Sequence, residues 1–227
     1  MSELKEKILR AKEDLDAVYE AGKQSGGGGA ADYLPFTTTA KFPDWNLFGK
    51  SEVVLNVPLV TNFSAVFQSV VLNTTVEHLT INGALDGTIT TATMFVYANA
   101  RDDTLKRLTL NCDFSKCTSF TYMATYRSAL EIIDGIPIDF SSATGIGDIA
   151  GQCYALREMR IVPLSIKGDI KIGHANNLSN ETVQSLIDGL ADLTGGATKT
   201  LTLHTSVVTR LTESQLETIQ NKNWQVA

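Results

Sequence analysis

The stretch "FSKCTSFTYMATYRSALEII" (Phe114–Ile133) is followed, at an offset of 26 residues, by "FSSATGIGDIAGQCYALREM" (Phe140–Met159). Phe114 and Phe140, Ser115 and Ser141, Thr118 and Thr144, Ala124 and Ala150, Ala129 and Ala155, and Leu130 and Leu156 are identical pairs at that offset. Phe120 aligns with Ile146, Met123 with Ile149 and Ile133 with Met159, so the apolar frame persists while the polar residues between drift. Stacked units behave this way: a position that packs on its neighbour keeps its size and polarity, and a position facing water is free to change.

The period continues upstream. "VEHLTIN" (Val76–Asn82) matches "LKRLTLN" (Leu105–Asn111) at an offset of 29, and Val53, Leu55 and Asn56 precede Leu79, Ile81 and Asn82 by 26. "KTLTLH" (Lys199–His204) repeats the motif near the C-terminus. The shared pattern is L-x-x-L-x-L, as in Val76, Leu79 and Ile81, in Leu105, Leu108 and Leu110, and in Leu156, Met159 and Ile161. Its last three positions alternate with period two, the mark of a strand buried on one face. Thr80, Thr109, Arg160 and Thr202 take the outward place. Each unit is too poor in apolar residues to close a core alone and must stack on the next. Leu105 and Leu108 precede Leu130 and Ile133 by 25, and offsets of 25 to 29 lie in the ~20–29 residue range of leucine-rich repeats. Another type of parallel β-solenoid follows the same logic and is the structural alternative.

On these segments, with Cys153 and Leu156 in a C-x-x-L place, the chain resembles the irregular, BspA-like leucine-rich repeats of bacterial surface proteins and of phages infecting gut Firmicutes. The tail from Asn176 to Ala227 looks like the C-terminal unit of phage-encoded members. The resemblance spans residues 50 to 227. It implies an α/β, β-rich fold: an irregular leucine-rich-repeat solenoid with parallel strands, an N-terminal helix as a candidate coiled coil, and a C-terminal helical cap. The register is expected to fail after Met159, where "VPLSIKGDIKIGH" brings the next strand early.

The expected organisation is a helix over 1–24, a glycine-rich linker over 25–31, an aromatic-rich cap over 32–50, and the repeat domain with its C-terminal cap over 51–227. In the first helix Leu4, Ile8, Ala11, Leu15 and Val18 recur at alternating spacings of four and three, an a/d seam suited to oligomerisation or docking. So short a helix is marginal alone in water and needs a partner, which is another copy or protein or, in the alternative, its own domain. "SGGGG" behind it reads as a tether. Tyr33, Phe36, Phe42, Trp45 and Phe48 suit a lid over the exposed end of the first repeat, with a ligand platform as the alternative. Near the C-terminus, Ser179 or Asn180 can cap a helix whose face carries Val183, Leu186, Ile187 and Leu190, with Gly195 and Gly196 stopping it. A second helix is expected over Glu213–Asn221, with Leu211, Leu216 and Ile219 inward, then a short strand or cap at Trp224 and Val226.

The chemical inventory predicts no enzyme. Nineteen basic against 25 acidic residues give a net charge of −6 without a basic stripe, which excludes phosphate-led nucleic-acid binding. No apolar run is long enough to span a membrane, and the charged start lacks a signal-peptide core, so a chain made in the cytoplasm is expected. Cys112, Cys117 and Cys153 lack metal-type spacing and read as packing thiols. His78, His174 and His204 are dispersed. "SATGIGDIAG" (Ser142–Gly151) lacks a Walker lysine and already fits the repeat. No catalytic residue, cofactor or metal is predicted.

The expected function, implied by the resemblance, is a non-enzymatic phage virion component: an accessory protein of tail, baseplate or fibre that binds a protein or host-surface glycan. Its partners would be other virion proteins and itself, with a homotrimer favoured by the threefold symmetry common in phage fibres. Neither nucleic acid nor membrane is expected as a partner. A bacterial BspA-like surface adhesin and a structural virion decoration protein are the alternatives.

Overall fold

The computed structural model describes residues 51–60, 76–85, 89–90 and 104–227. The expected N-terminal helix with Leu4, Ile8, Ala11, Leu15 and Val18, the linker and the aromatic cap lie outside the described residues.

The alternating segments form strands with one side buried. They are β1 (Glu52–Val60), β2 (His78–Leu85), β4 (Arg107–Cys112), β6 (Ile132–Ile138) and β8 (Glu158–Ile161), with the shorter β3 (Ile89–Thr90), β5 (Cys117–Ser119) and β7 (Gly147–Asp148) between them. The fold is α/β, and every strand pairing among the described residues is parallel. One sheet has the order β1-β2-β4-β6-β8. Val53 stands opposite Leu79, Leu79 opposite Leu108, Leu108 opposite Ile133, and Ile133 opposite Met159. Those offsets of 26, 29, 25 and 26 residues are the offsets of the sequence repeat. All five of these side chains are buried, as are Val76, Leu105, Leu130 and Leu156 just ahead of their strands.

After each strand of this sheet from β2 on, up to β8, the chain crosses to a second side, another set of parallel strands, so that each repeat unit makes one coil. There β3 pairs with β5, Ser119 bridges Gly145, and β7 pairs with β9 (Ile170–Ile172). The second side continues through β10 (Lys199–Leu203) to β11 (Trp224–Val226). Between the two sides Phe120 meets Phe114 at 6.0 Å and Phe140 at 4.5 Å between ring centroids, both edge-on. Asp113 and Asp139, 26 residues apart, start the crossing alike: each carboxylate accepts from the amide two residues on, Ser115 and Ser141, at 2.9 and 2.8 Å. This turn explains the recurring Phe-Ser. The bond from Ser115 also holds the Asp113 carboxyl below its ordinary range.

Gly135 has a positional reason. Its φ is +97°, and a Cβ there would lie 2.5 Å from the Leu110 carbonyl oxygen and 2.8 Å from Asn111 Oδ1. Only glycine lets β6 pass this close to β4 in a left-handed conformation.

Beyond β8 the first sheet stops and a helix takes the next place. In α1 (Asn180–Gly189), Thr182 Oγ1 accepts from the Met159 amide at 3.0 Å and donates to the Arg157 carbonyl at 3.0 Å, while Ser185 Oγ accepts from the Ile161 amide at 3.0 Å. Helix hydroxyls thus satisfy a strand edge that would otherwise be left open. The expected break after Met159 has this physical form, with β9 joining the second sheet rather than the first. Ser179 caps α1 by accepting from the Thr182 amide at 3.1 Å, and Val183, Leu186, Ile187 and Leu190 are buried.

The stop at Gly195 and Gly196 is corrected. α1 ends at Gly189 with Leu190 extended, because Leu190 bridges Ile166 and the Ala191 amide bonds to the Ile166 carbonyl at 2.8 Å. After β10 come α2 (Thr205–Val208) and α3 (Glu213–Asn221), the latter opened by a reciprocal bond pair between Thr212 and Gln215. Ile219 and Trp224 are buried, and Leu211 packs against the core from a half-buried position.

Lys222, just past α3, reaches back to the C-terminal end of α1 and donates to the carbonyls of Ile187 at 2.8 Å and Leu190 at 2.9 Å. A cation there joins the Leu190 amide on the Ile187 carbonyl, satisfies the Leu190 carbonyl, and sits at the negative end of the helix. Replacing Lys222 with Met should therefore lower stability by about 1–3 kcal/mol in urea unfolding. An unchanged midpoint would mean that these bonds contribute nothing net.

Candidate functional site on the polar strand face

The parallel register sets the outward residues of the first sheet in rows across strands spaced by ~4.8 Å. One row runs Glu52, His78, Arg107, Ile132, Glu158, in which Ile132 is buried, and the next runs Val54, Thr80, Thr109, Asp134. A third sets Asn82 beside Asn111. Threonine fits these outward places because its branched carbon suits the pleat and its hydroxyl stays wet.

The rows bind themselves together. His78 Nδ1 lies 3.3 Å from Glu52 Oε1, and Arg107 Nε lies 3.3 Å from Asp134 Oδ2. Thr109 Oγ1 donates to Asp134 Oδ1 at 2.6 Å, and Asn111 Nδ2 donates to Asn82 Oδ1 at 2.8 Å. At the strand entries Lys106 pairs with Glu77 at 3.1 Å, and Arg157 pairs with Glu131 at 3.4 Å and with Glu158. Exposed pairs of this kind each contribute about 0–1 kcal/mol. Their greater effect is on charge: His78, Lys106, Arg107 and Arg157 each stand beside an acidic neighbour, so these rows offer hydrogen-bonding groups at fixed spacing with their paired charges offset.

The expected histidines fall apart in space. His78 sits in the first row, the His174 ring stands edge-on to Tyr154 at 5.9 Å, and His204 caps α2 by accepting from the Ser206 amide at 3.2 Å. In "SATGIGDIAG", the Gly145 amide bonds to the Thr118 carbonyl at 3.3 Å and Gly147 lies in β7, so this backbone is engaged in stacking the coils. Among the described residues no group of three or more His, Cys, Asp or Glu could hold a metal ion. No described helix is long and apolar enough to cross a membrane.

Cys112, Cys117 and Cys153 are buried and carry thiols rather than disulfides. Burial pushes the Cys112 thiol up to about 12, and Cys153 Sγ donates to the Ala124 carbonyl. A buried thiol far from its thiolate form is a poor nucleophile. A thiol reagent at neutral pH should therefore leave all three unmodified in the folded protein and label all three in denaturant. Rapid labelling of the native chain would contradict their burial.

Two features escaped the sequence. Arg127 is 1% exposed, although an arginine beside Tyr126 and Ser128 reads as surface. The other is an aromatic corner: Tyr122, Tyr126 and Tyr154 remain 39–48% exposed, and the first two have positive φ, 58° and 65°. The alternation of aromatic and small residues in "TYMATY" was the available signal.

Comparison with known proteins finds no matching family model, no matching curated protein and no matching solved structure.

Proposed function

We propose that the chain is an irregular leucine-rich-repeat solenoid of the BspA-like kind, serving as a non-enzymatic accessory protein of a phage tail, baseplate or fibre. In this reading the repeat domain binds a protein or a host-surface glycan, and the N-terminal segment attaches it to other virion proteins or to its own copies. The observation that supports it best is the outward face of the five-stranded sheet, where rows such as Thr80, Thr109 and Asp134 hold polar groups at fixed spacing without a catalytic pair. Surfaces of this kind recognise partners by geometry and hydrogen bonding. The family resemblance of the repeat segments adds the virion setting.

Two experiments test this. Antibody to the repeat domain should label purified phage particles, and mass spectrometry should find the chain at a fixed ratio to tail proteins; recovery from the bacterial surface with none in particles would refute the virion setting. Deleting residues 1–25 should leave the repeat domain folded while lowering its oligomeric state from trimer, or its incorporation into particles. Unfolding of the repeats on deletion would instead make that segment part of the domain core.

A further inference from the structure

The strongest unexplained feature of the molecule is the tyrosine corner, where three departures from a stability-driven design coincide. The corner formed by residues 121–126 stacks directly on the equivalent corner of the next coil. The amides of Tyr122, Ala124 and Tyr126 donate to the carbonyls of Asp148, Ile149 and Gly151 at 2.8, 2.9 and 2.7 Å. Met123 and Ala124 turn into the core, while Tyr122 and Tyr126 stay out at 48% and 39% exposure. Both tyrosines adopt the left-handed backbone that residues of this bulk avoid. Beneath them, Thr125 Oγ1 and Asp148 Oδ1 are buried without a hydrogen-bond partner, which native interiors rarely tolerate. Tyr154, 48% exposed, follows three residues after Gly151, whose carbonyl accepts from the Tyr126 amide, and its ring stands edge-on to the His174 ring at 5.9 Å. Gln152, 26 residues after Tyr126, has the same left-handed backbone, φ 61°, so the turn recurs; what sets this corner apart is that exposed rings and orphaned polar atoms coincide with it.

We propose that this corner binds a neutral saccharide chain lying across successive coils. The proposal rests on the reading of the protein as a binding scaffold and assigns its ligand class and place. A tyrosine ring presents an apolar face with a polar tip, which suits a pyranose whose C–H face is apolar and whose edge carries hydroxyls. Lys171 Nζ lies 3.6 Å from Asp148 Oδ2, and Arg127, the residue after Tyr126, is buried at 1% exposure, so neither basic group is an exposed, unmatched cation for an acidic sugar or a phosphate. The exposed aliphatic side chains Ile136 and Leu164 lie elsewhere, in β6 and beyond β8, and the corner lacks the aliphatic surface that a lipid or an apolar helix would need.

Isothermal titration calorimetry of the full chain with short neutral oligosaccharides of glucose, galactose and N-acetylglucosamine tests the proposal, with an oligouronate as acidic control. At least one neutral oligosaccharide should bind with Kd of about 1 mM or tighter. Tyr154→Ala should weaken that binding at least about tenfold, as expected when an aromatic anchor is removed. Tyr122→Asn, which tolerates the left-handed backbone, should do the same. Tyr154→Phe should preserve it, as should Glu217→Ala on α3, and circular dichroism melts should show each variant folded. Preference for the oligouronate, or no binding of any neutral oligosaccharide, overturns the proposal. Binding that survives both tyrosine changes but falls with Thr109→Ala also overturns it, moving the sugar to the strand face while the scaffold reading stands. Incorporation into particles is measured separately, so failure of the virion reading is distinguishable from failure at this corner.

Discussion

Phe120→Ala is expected to destabilise the protein by about 3–5 kcal/mol, among the largest effects of any single substitution. Phe120 is fully buried and lies between two other rings, Phe114 at 6.0 Å and Phe140 at 4.5 Å. Phe140 belongs to the next coil, so Phe120 fills the layer through which one coil touches another. Truncation leaves a ring-sized void, and the flanking backbone is held in place: the Phe120 amide donates to the Gly145 carbonyl and the Met123 amide to the Phe120 carbonyl. The walls therefore collapse only in part, and the cavity cost remains. Under the proposed solenoid reading, in which neighbour contacts along one dimension stabilise the chain, damage at one layer should also reduce cooperativity. Urea unfolding followed by far-ultraviolet circular dichroism would show an earlier and broader transition. A loss below about 1 kcal/mol, the ordinary value for a point mutation, would mean that the three rings do not form the inter-coil layer.

Leu130→Ala and Leu156→Ala should each cost about 2–5 kcal/mol, and by comparable amounts. Both are fully buried, and their surroundings repeat. The Leu130 amide bonds to the Arg127 carbonyl at 3.1 Å and the Leu156 amide to the Cys153 carbonyl at 3.2 Å. Each then leads into a strand of the first sheet, β6 and β8. Equivalent burial behind equivalent turns predicts equivalent loss, measured by the same unfolding experiment. Two silent substitutions would contradict the repeat register, and one large loss beside one silent change would limit the equivalence to sequence alone.

What could be read in advance was what repeats. "VEHLTIN" and "LKRLTLN" carry the register of β2 on β4, because residues that pack on the next coil must recur at its period. The bounds of α3 were legible for a different reason, the local spacing of Leu211, Leu216 and Ile219, to which the structure adds the Thr212–Gln215 bond pair that opens the helix. The features that escaped depend on contacts distant in sequence. Nothing near Leu190 announces a helix end, since the cause is a bridge to Ile166. Nothing near Thr182 and Ser185 announces that their hydroxyls will replace a strand along β8. The second side of the coils is built from strands as short as Gly147–Asp148, too brief for alternation to register. The tyrosine corner was hidden by the repeat itself, which draws the eye to the conserved frame of Phe, Ala and Leu and away from the residues between.

Site-directed cross-linking between outward positions of the first sheet tests the stacking most directly, because the native thiols are buried. Cysteines replacing Thr80 and Thr109, opposite each other on adjacent strands at ~4.8 Å strand spacing, should be joined efficiently by a short bifunctional maleimide within one chain. Cysteines replacing Val54 on β1 and Arg160 on β8 stand four strands apart, roughly 19 Å at the same spacing, and should not be joined by that reagent. Efficient linking of the distant pair, or failure of the adjacent pair in a folded protein, would contradict the parallel stack of coils.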